Sequence, residues 1–296
     1  MSEGLLNIQP SINMTTAIHD KVMHNRSIFN LTKDLPYKPY FEDHQRKIIL
    51  FNEDCFNILP NLPENSIDMI FADPPYFLSN GGFTCHAGKQ VSVNKGKWDV
   101  SKGIEDNYLF TLRWLRECQR VLTPNGTIWV SGTSHIIYAV GYAMQDLGYK
   151  ILNDIAWFKV NPPPNLSCRY FTHSTETILW AAKNKDSKHY FNYPLMKKMN
   201  NNKQMLSLWS IKPPMTEEKK YGKHPTQKPL QLLDRIVLAS TKPGDIVLDP
   251  FSGSGTTGIA AHREKRQYIG IELEEDYINT SIKRLKDSFR DITWQF

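Results

Sequence analysis

Six short runs rich in apolar and β-branched residues punctuate this chain: Lys47–Phe51, Ser66–Ala72, Thr127–Ser131, Ile151–Lys159, Asp245–Asp249 and Gln267–Glu272. Each has the length of a strand, and the nearly continuous apolar character of most of them fits strands covered on both faces. Helical patterns lie between them. A short helix is expected from Cys55 through Leu59; Leu109, Leu112, Leu115, Val121 and Leu122 form a 3.6-period stripe, Ile136–Leu147 repeats the pattern, and a further helix begins at Ile259. Alternating strands and helices predict an α/β fold with a mainly parallel sheet in three layers. Residues 1–45 have mixed polarity and no sustained period, so they read as an N-terminal arm with one short helix, either flexible or packed on the core. Residues 77–103, rich in Gly, Asn, Ser and Lys, read as a long loop, and residues 289–296 as a tail. Residues 183–223 contain the basic, weakly periodic stretches Lys183–His189 and Lys197–Gln204.

Two strand ends carry candidate chemistry. Asp73-Pro74-Pro75-Tyr76 stops the second run abruptly, because a prolyl pair cannot continue a ladder and holds the backbone extended. A carboxylate, a carbonyl and an aromatic ring are thereby fixed at the C-terminal edge of a sheet, where ligands bind in open α/β folds. That set suits an exocyclic amine of a nucleobase; an ordinary strand-ending turn is the alternative. The fifth run ends at Asp249 and enters Pro250-Phe251-Ser252-Gly253-Ser254-Gly255-Thr256, a glycine-rich turn leading into a helix. Glycines permit close approach of backbone to a ligand, and a helix N-terminus offers free N–H groups. The spacing is neither that of a phosphate-binding P-loop nor the full dinucleotide fingerprint. The next strand ends at Glu272, a position suited to ribose hydroxyls.

Composition narrows the class without deciding it. With 296 residues and 40% hydrophobic content, the chain is long enough for one substantial core and a small appended module. A formal charge of +6 has the sign expected of a nucleic-acid binder, though simple solubility explains it equally well. No apolar run approaches a membrane span, and no membrane association or apolar signal core is expected. Cys55, Cys85, Cys118 and Cys168 are far apart, so neither a disulfide framework nor a metal site is expected, which fits a reducing cytoplasm.

The motifs Asp73–Tyr76, Asp249–Thr257 and His224-Pro-Thr-Gln-Lys-Pro229 together resemble the S-adenosylmethionine-dependent DNA amino-methyltransferases, in the β-group order with the cofactor motif near the C-terminus. The resemblance spans residues 46–288. Asn161–Asn165, Ser167–Trp180 and Val91–Gly96 look like the DpnA-type adenine methyltransferases of restriction systems, which recognise GATC. It implies a circularly permuted Rossmann-like methyltransferase domain, S-adenosylmethionine as cofactor, DNA as substrate, and adenine N6 as the methyl acceptor, on duplex or single-stranded DNA; dimers occur in this group. Asp73 and the Pro74 carbonyl would grip the adenine amine, with Pro75 holding the backbone and Tyr76 stacking on the base; Phe77 packs beneath it or is instead the stacking ring. The resemblance places Asp249, Phe251, Ser252, Gly253, Ser254, Gly255 and Thr256 around the methionine part of the cofactor, Glu272 on its ribose and Asp54 on its adenine amine. It has Thr226 and Lys228 close the pocket near the carboxylate. Target recognition falls in residues 183–223, and residues 77–103 form an active-site or DNA loop. Arg169 and His173 either face DNA or are structural hydrogen-bonders. Cytosine-N4 methylation, methylation of RNA or of a protein amide, and an inactive nucleic-acid-binding protein are the alternatives; the first more often shows Ser and the second Asn where this chain has Asp73.

Overall fold

The computed structural model describes residues 26–78, 83–86, 89–92, 99–101, 103–162, 164–165, 167–222 and 224–290. In chain order the elements are α1 (Ile28–Thr32), β1 (Phe41–Asp43), β2 (Ile48–Asn52), α2 (Cys55–Ile58), β3 (Ile67–Ala72), β4 (Phe83–His86), β5 (Lys89–Ser92) and α3 (Ile104–Val121). They continue with β6 (Leu122–Gly132), α4 (Ile137–Asp146), β7 (Lys150–Phe158), β8 (Thr175–Ala182), α5 (Tyr193–Met199), β9 (Leu208–Ser210), α6 (Leu230–Ser240), β10 (Ile246–Asp249), α7 (Thr256–Arg263), β11 (Gln267–Glu272) and α8 (Glu275–Ser288). Nine strands form one sheet in the order β1-β2-β11-β10-β3-β6-β8-β7-β9, and β4 and β5 pair separately as an antiparallel hairpin.

The alternation of side chains along each strand explains the three layers. Ile49, Phe51, Ile70, Ile128, Leu248 and Ile269 face one core, which Trp114, Leu115, Val140 and Met144 of α3 and α4 close. Ile48, Leu50, Met69, Phe71, Trp129, Val247 and Tyr268 face the other, which α6, α7 and α8 cover through Ile236, Ala260 and Ile278. Trp129 and Trp180 stack in this second core with ring centroids 4.6 Å apart.

Strands β2, β11, β10, β3 and β6 run parallel, as the apolar runs predict. Beyond β6 the sheet becomes mixed. β8, which the pattern of runs did not separate, lies antiparallel to both β6 and β7, and β9 rejoins β7 in parallel. Pro124-Asn125-Gly126 forms an irregularity inside β6: the register against β3 jumps from Ile67–Leu122 to Met69–Thr127. Ser187 Oγ donates to the Pro124 carbonyl at 2.7 Å, and the Lys188 amide donates to Asn125 Oδ1 at 2.8 Å, so the excursion is anchored.

Part of the segment expected to be an arm is built into the core. Ile28 is fully buried, its amide bonds Gln267 Oε1, and Arg26 pairs with Asp68 at 2.9 Å. β1 adds an antiparallel edge to β2. Residues 1–25 and 291–296, the rest of the arm and most of the tail, lie outside the described residues, as do residues 79–82, 87–88, 93–98 and 102 of the 77–103 loop. In the basic 183–223 segment, Met196, Trp209 and Ile211 are buried, so this stretch is not a wholly solvated excursion.

α7 lies so close to β11 that a Cβ on Gly258 would stand 2.5 Å from the Tyr268 ring. Gly258→Ala is therefore expected to cost about 1–3 kcal/mol through overpacking, read as a lower urea midpoint with unchanged slope. An unchanged midpoint would mean that this helix sits farther from the sheet.

Candidate active site

The chain turns in opposite directions after β10 and β3. From β10 it crosses through α7 to β11 on one side, and from β3 through α3 to β6 on the other. These neighbours thus flank a topological switch point, where the C-terminal ends of parallel strands leave a crevice. Asp249 closes β10 and Asp73 follows β3, so sheet topology alone brings the two motifs together.

A cleft of about 190 Å³ opens at this edge, lined by the rings of Phe110, Phe251 and Tyr277, the carboxylates of Asp54 and Glu272, and Asp73 and Pro75. A smaller space continues between Asp73 and the glycine turn, lined by Asp249, Ser252, Gly253, Ser254, Thr256, Thr226 and Lys228. Aromatic walls with carboxylates on one side suit a nucleoside that carries an amine and vicinal hydroxyls. Asp54 caps α2 by accepting from the Phe56 amide at 2.9 Å. Glu272 accepts from the Gly253 amide at 2.7 Å and the Glu274 amide at 2.9 Å, so it also pins the turn. Each of its oxygens keeps a second lone pair for a ligand hydroxyl. Burial pushes the Glu272 carboxyl up, and those two amide bonds pull against it.

The glycine turn rests on buried polar contacts. Asp249 accepts from the Phe251 amide at 3.0 Å and from Thr257 Oγ1 at 2.6 Å; burial pushes its carboxyl up to about 7 against those bonds. Gly255 holds a left-handed conformation (φ 75°), and a Cβ there would stand 2.1 Å from Ser281 Oγ. Behind the turn, Arg284 Nη1 donates to the Ser254 carbonyl at 2.5 Å and to Thr256 Oγ1 at 3.0 Å.

Asp73 sits in a buried cluster of charge. Lys228 Nζ donates to its Oδ2 at 2.5 Å and Tyr76 OH to its Oδ1 at 2.6 Å. Lys228 also lies 3.7 Å from Glu176 on β8, and Glu176 pairs with Lys159 at the end of β7. Burial pushes the Asp73 carboxyl up, Lys228 pulls it down, and Glu176 adds to the rise. Burial opposes the Lys228 charge, yet Asp73 and Glu176 outweigh it and hold the ammonium above its ordinary range. Asp99 clamps the backbone beyond the motif, accepting from the amides of Tyr76 (2.8 Å), Phe77 (2.7 Å) and Leu78 (3.2 Å). Three amides converging on one carboxylate hold Phe77 at φ 56°, a conformation rare for a bulky residue.

Apart from Pro74, Tyr76 and Gly255, the predicted residues line one crevice; Tyr76 and Lys228 meet in the Asp73 cluster. Tyr76, expected to stack on a base, is only 3% exposed and places its hydroxyl on Asp73. The half-buried Phe77 packs edge-on against Phe110. Lys228, expected near a cofactor carboxylate, has its ammonium on Asp73, and the Thr226 carbonyl accepts from it at 3.3 Å. Sequence reasoning missed Phe110, Asp99, Glu176 and Arg284. Phe110 belongs to the amphipathic α3, and a buried acid opening an otherwise apolar strand was the available signal for Glu176; Asp99 and Arg284 had none. Among the described residues no group of three or more His, Cys, Asp or Glu is arranged to hold a metal.

Residues 67–283 match the family model described as DNA methylase, of the N6/N4 type. The type II methyltransferase M2.DpnII of Streptococcus pneumoniae is 55% identical over 250 residues, covering 84% of this chain and 92% of that protein. M2.MboI of Moraxella bovis is 51% identical over 247 residues, covering 83% and 90%. Among solved structures, the M1.HpyAVI complex with S-adenosylmethionine has a TM-score of 0.60 at 32% identity, covering 80% of this chain and 98% of that one. The cytosine-N4-specific PvuII methyltransferase, at 22% identity and a TM-score of 0.68, shares the fold. A match across most of the chain, relatives above half identity and a two-motif crevice at the switch point agree: this chain belongs to the N6/N4 DNA methylase family.

Proposed function

We propose that this protein is a site-specific DNA adenine-N6 methyltransferase that uses S-adenosylmethionine and serves as the modification enzyme of a type II restriction system, with GATC as its site. The observation that carries the reading is the Asp73 carboxylate, held by Lys228 and Tyr76 where it lines a cleft suited to a nucleoside. High identity to type II methyltransferases supports the restriction role. Asp at position 73, where cytosine-N4 enzymes more often show Ser, favours adenine. DNA as substrate places the enzyme in the cytoplasm, and residues 183–223 with the 77–103 loop are the parts assigned to DNA contact.

The cleft fits the cofactor by its donor set: Asp54 for an adenine amine, Glu272 for ribose hydroxyls, Phe110 and Phe251 as walls, and the glycine turn with Thr226 for the methionine end. When bound, S-adenosylmethionine supplies a sulfonium methyl. The chain's own task is to make the adenine amine a nucleophile. Its lone pair is delocalised into the ring, and acceptors at Asp73 Oδ and the Pro74 carbonyl draw the two N–H bonds so that the nitrogen becomes pyramidal. Each Asp73 oxygen has a lone pair beyond those used by Lys228 and Tyr76. Lys228 and Tyr76 fix the carboxylate's direction, so that positioning and preorganised dipoles provide most of the rate gain. Asp73 Oδ then takes the proton that the methylated amine sheds.

Labelled methyl from S-adenosylmethionine is expected on N6 of adenine in GATC oligonucleotides, identified by nucleoside analysis; label on cytosine would overturn the substrate. Asp73→Ala should lower kcat by roughly two to three orders of magnitude with cofactor affinity retained. A near wild-type rate would remove Asp73 from catalysis. Glu272→Ala should weaken cofactor binding roughly tenfold or more by calorimetry, and unchanged affinity would contradict the ribose assignment. Glu176 raises both the Asp73 and Lys228 pKa values. In Glu176→Gln both therefore fall, and the acid and alkaline limbs of the kcat/KM profile should move together toward lower pH. A profile that stays in place would show that Glu176 does not tune the pair.

A further inference from the structure

The connection from β7 to β8 rises directly from the catalytic cluster. Its two roots are Lys159 and Glu176, which pair with each other, and Glu176 in turn faces Lys228. The neck is closed by the Lys159 amide donating to the Ser174 carbonyl at 2.8 Å. Residues 160–174 contain Arg169 and His173 and neither Asp nor Glu. At the crown, Phe171 is 97% exposed and Tyr170 61%.

A nearly fully exposed phenylalanine forfeits the burial that normally stabilises such a side chain, and here it is held up by a built turn. Asn165 Oδ1 accepts from the Ser167 amide at 3.0 Å and from Ser167 Oγ at 2.8 Å, while Asn165 Nδ2 donates to the Tyr170 carbonyl at 2.6 Å. Cys168 takes a left-handed conformation (φ 54°), which turns the chain into Arg169. The His173 ring lies 5.5 Å from that of Tyr170. Phe171 is five residues from Glu176, at most ~17 Å along an extended chain, or the rise of about five bases.

We infer that Phe171, supported by Tyr170, is a stacking platform for a nucleobase flanking the target adenine, with Arg169 beside it on the phosphate backbone. The inference rests on the DNA-methylation reading. Nucleobases are the partner that fits, because an exposed ring in a loop that carries Arg169 and no carboxylate matches a flat π-face on a polyanion.

The test is an abasic scan. Oligonucleotides containing GATC, intact or with one flanking nucleotide at a time made abasic, are titrated by fluorescence anisotropy with S-adenosylhomocysteine present, against wild type, Phe171→Ala and Phe171→Trp. Phe171→Ala should bind intact DNA roughly five- to thirty-fold more weakly, and Phe171→Trp should retain affinity. At one or two positions the abasic site should weaken wild type by a similar factor and Phe171→Ala no further, a coupling that a merely structural role would not produce. Equal affinity of Phe171→Ala and wild type, or losses that simply add at every position, would overturn the inference. So would a change in oligomeric state of Phe171→Ala by light scattering, which would reassign the ring to contact between copies. Methyl transfer by wild type to the intact oligonucleotide is the control: its absence would refute the DNA reading itself.

Discussion

A carboxylate buried at the end of a strand has to be paired, and the rest of the site follows from how Asp73 meets that requirement. Isolated, its charge would be costly to hold; paired with a lysine that is itself buried, it only transfers the problem. The fold resolves this with alternating charges: Asp73, Lys228, Glu176 and Lys159. They come from the end of β3, the turn before α6, the start of β8 and the end of β7. Such a row forms only if the start of β8 lies at the same sheet edge as the end of β3, which an antiparallel β8 achieves. The departure from a purely parallel sheet is thus tied to the chemistry.

The cofactor side follows a similar economy. Glu272 pins the Gly253 amide while its carboxylate lines the cleft, and Asp249 ties strand, turn and helix together through Phe251 and Thr257. Arg284, reaching from α8, fixes the turn from behind. The pocket is therefore rigid where backbone must approach a ligand, and its aromatic walls come from three separate elements, α3, the turn after β10 and α8. Phe251 lies edge-on to Trp114 with centroids 5.4 Å apart, so the cleft wall is continuous with the core.

Much of this was legible in the sequence. The strands ending in Asp73, Asp249 and Glu272 were marked by apolar runs stopped by Pro or an acid, and their placement in one crevice followed from α/β topology. Tertiary partnership was not legible. The Tyr76 ring is visible in the motif, but that its hydroxyl meets Asp73 is decided by the buried neighbours of that carboxylate. Lys228 precedes a proline and a helix, a context with an ordinary structural meaning, and the carboxylates that claim it lie far away in sequence. Asp99 is one acid in a segment without periodicity. The strand β8 was hidden because its apolar run follows directly on a polar loop, and the core residues Met196 and Trp209 were hidden among lysines and asparagines.

The most direct test is a crystal structure with S-adenosylhomocysteine and a GATC oligonucleotide. The target adenine N6 should lie within about 3 Å of both Asp73 Oδ and the Pro74 carbonyl, with Lys228 still on Asp73. An adenine amine bound away from Asp73, or Asp73 turned from the cleft, would contradict the mechanism.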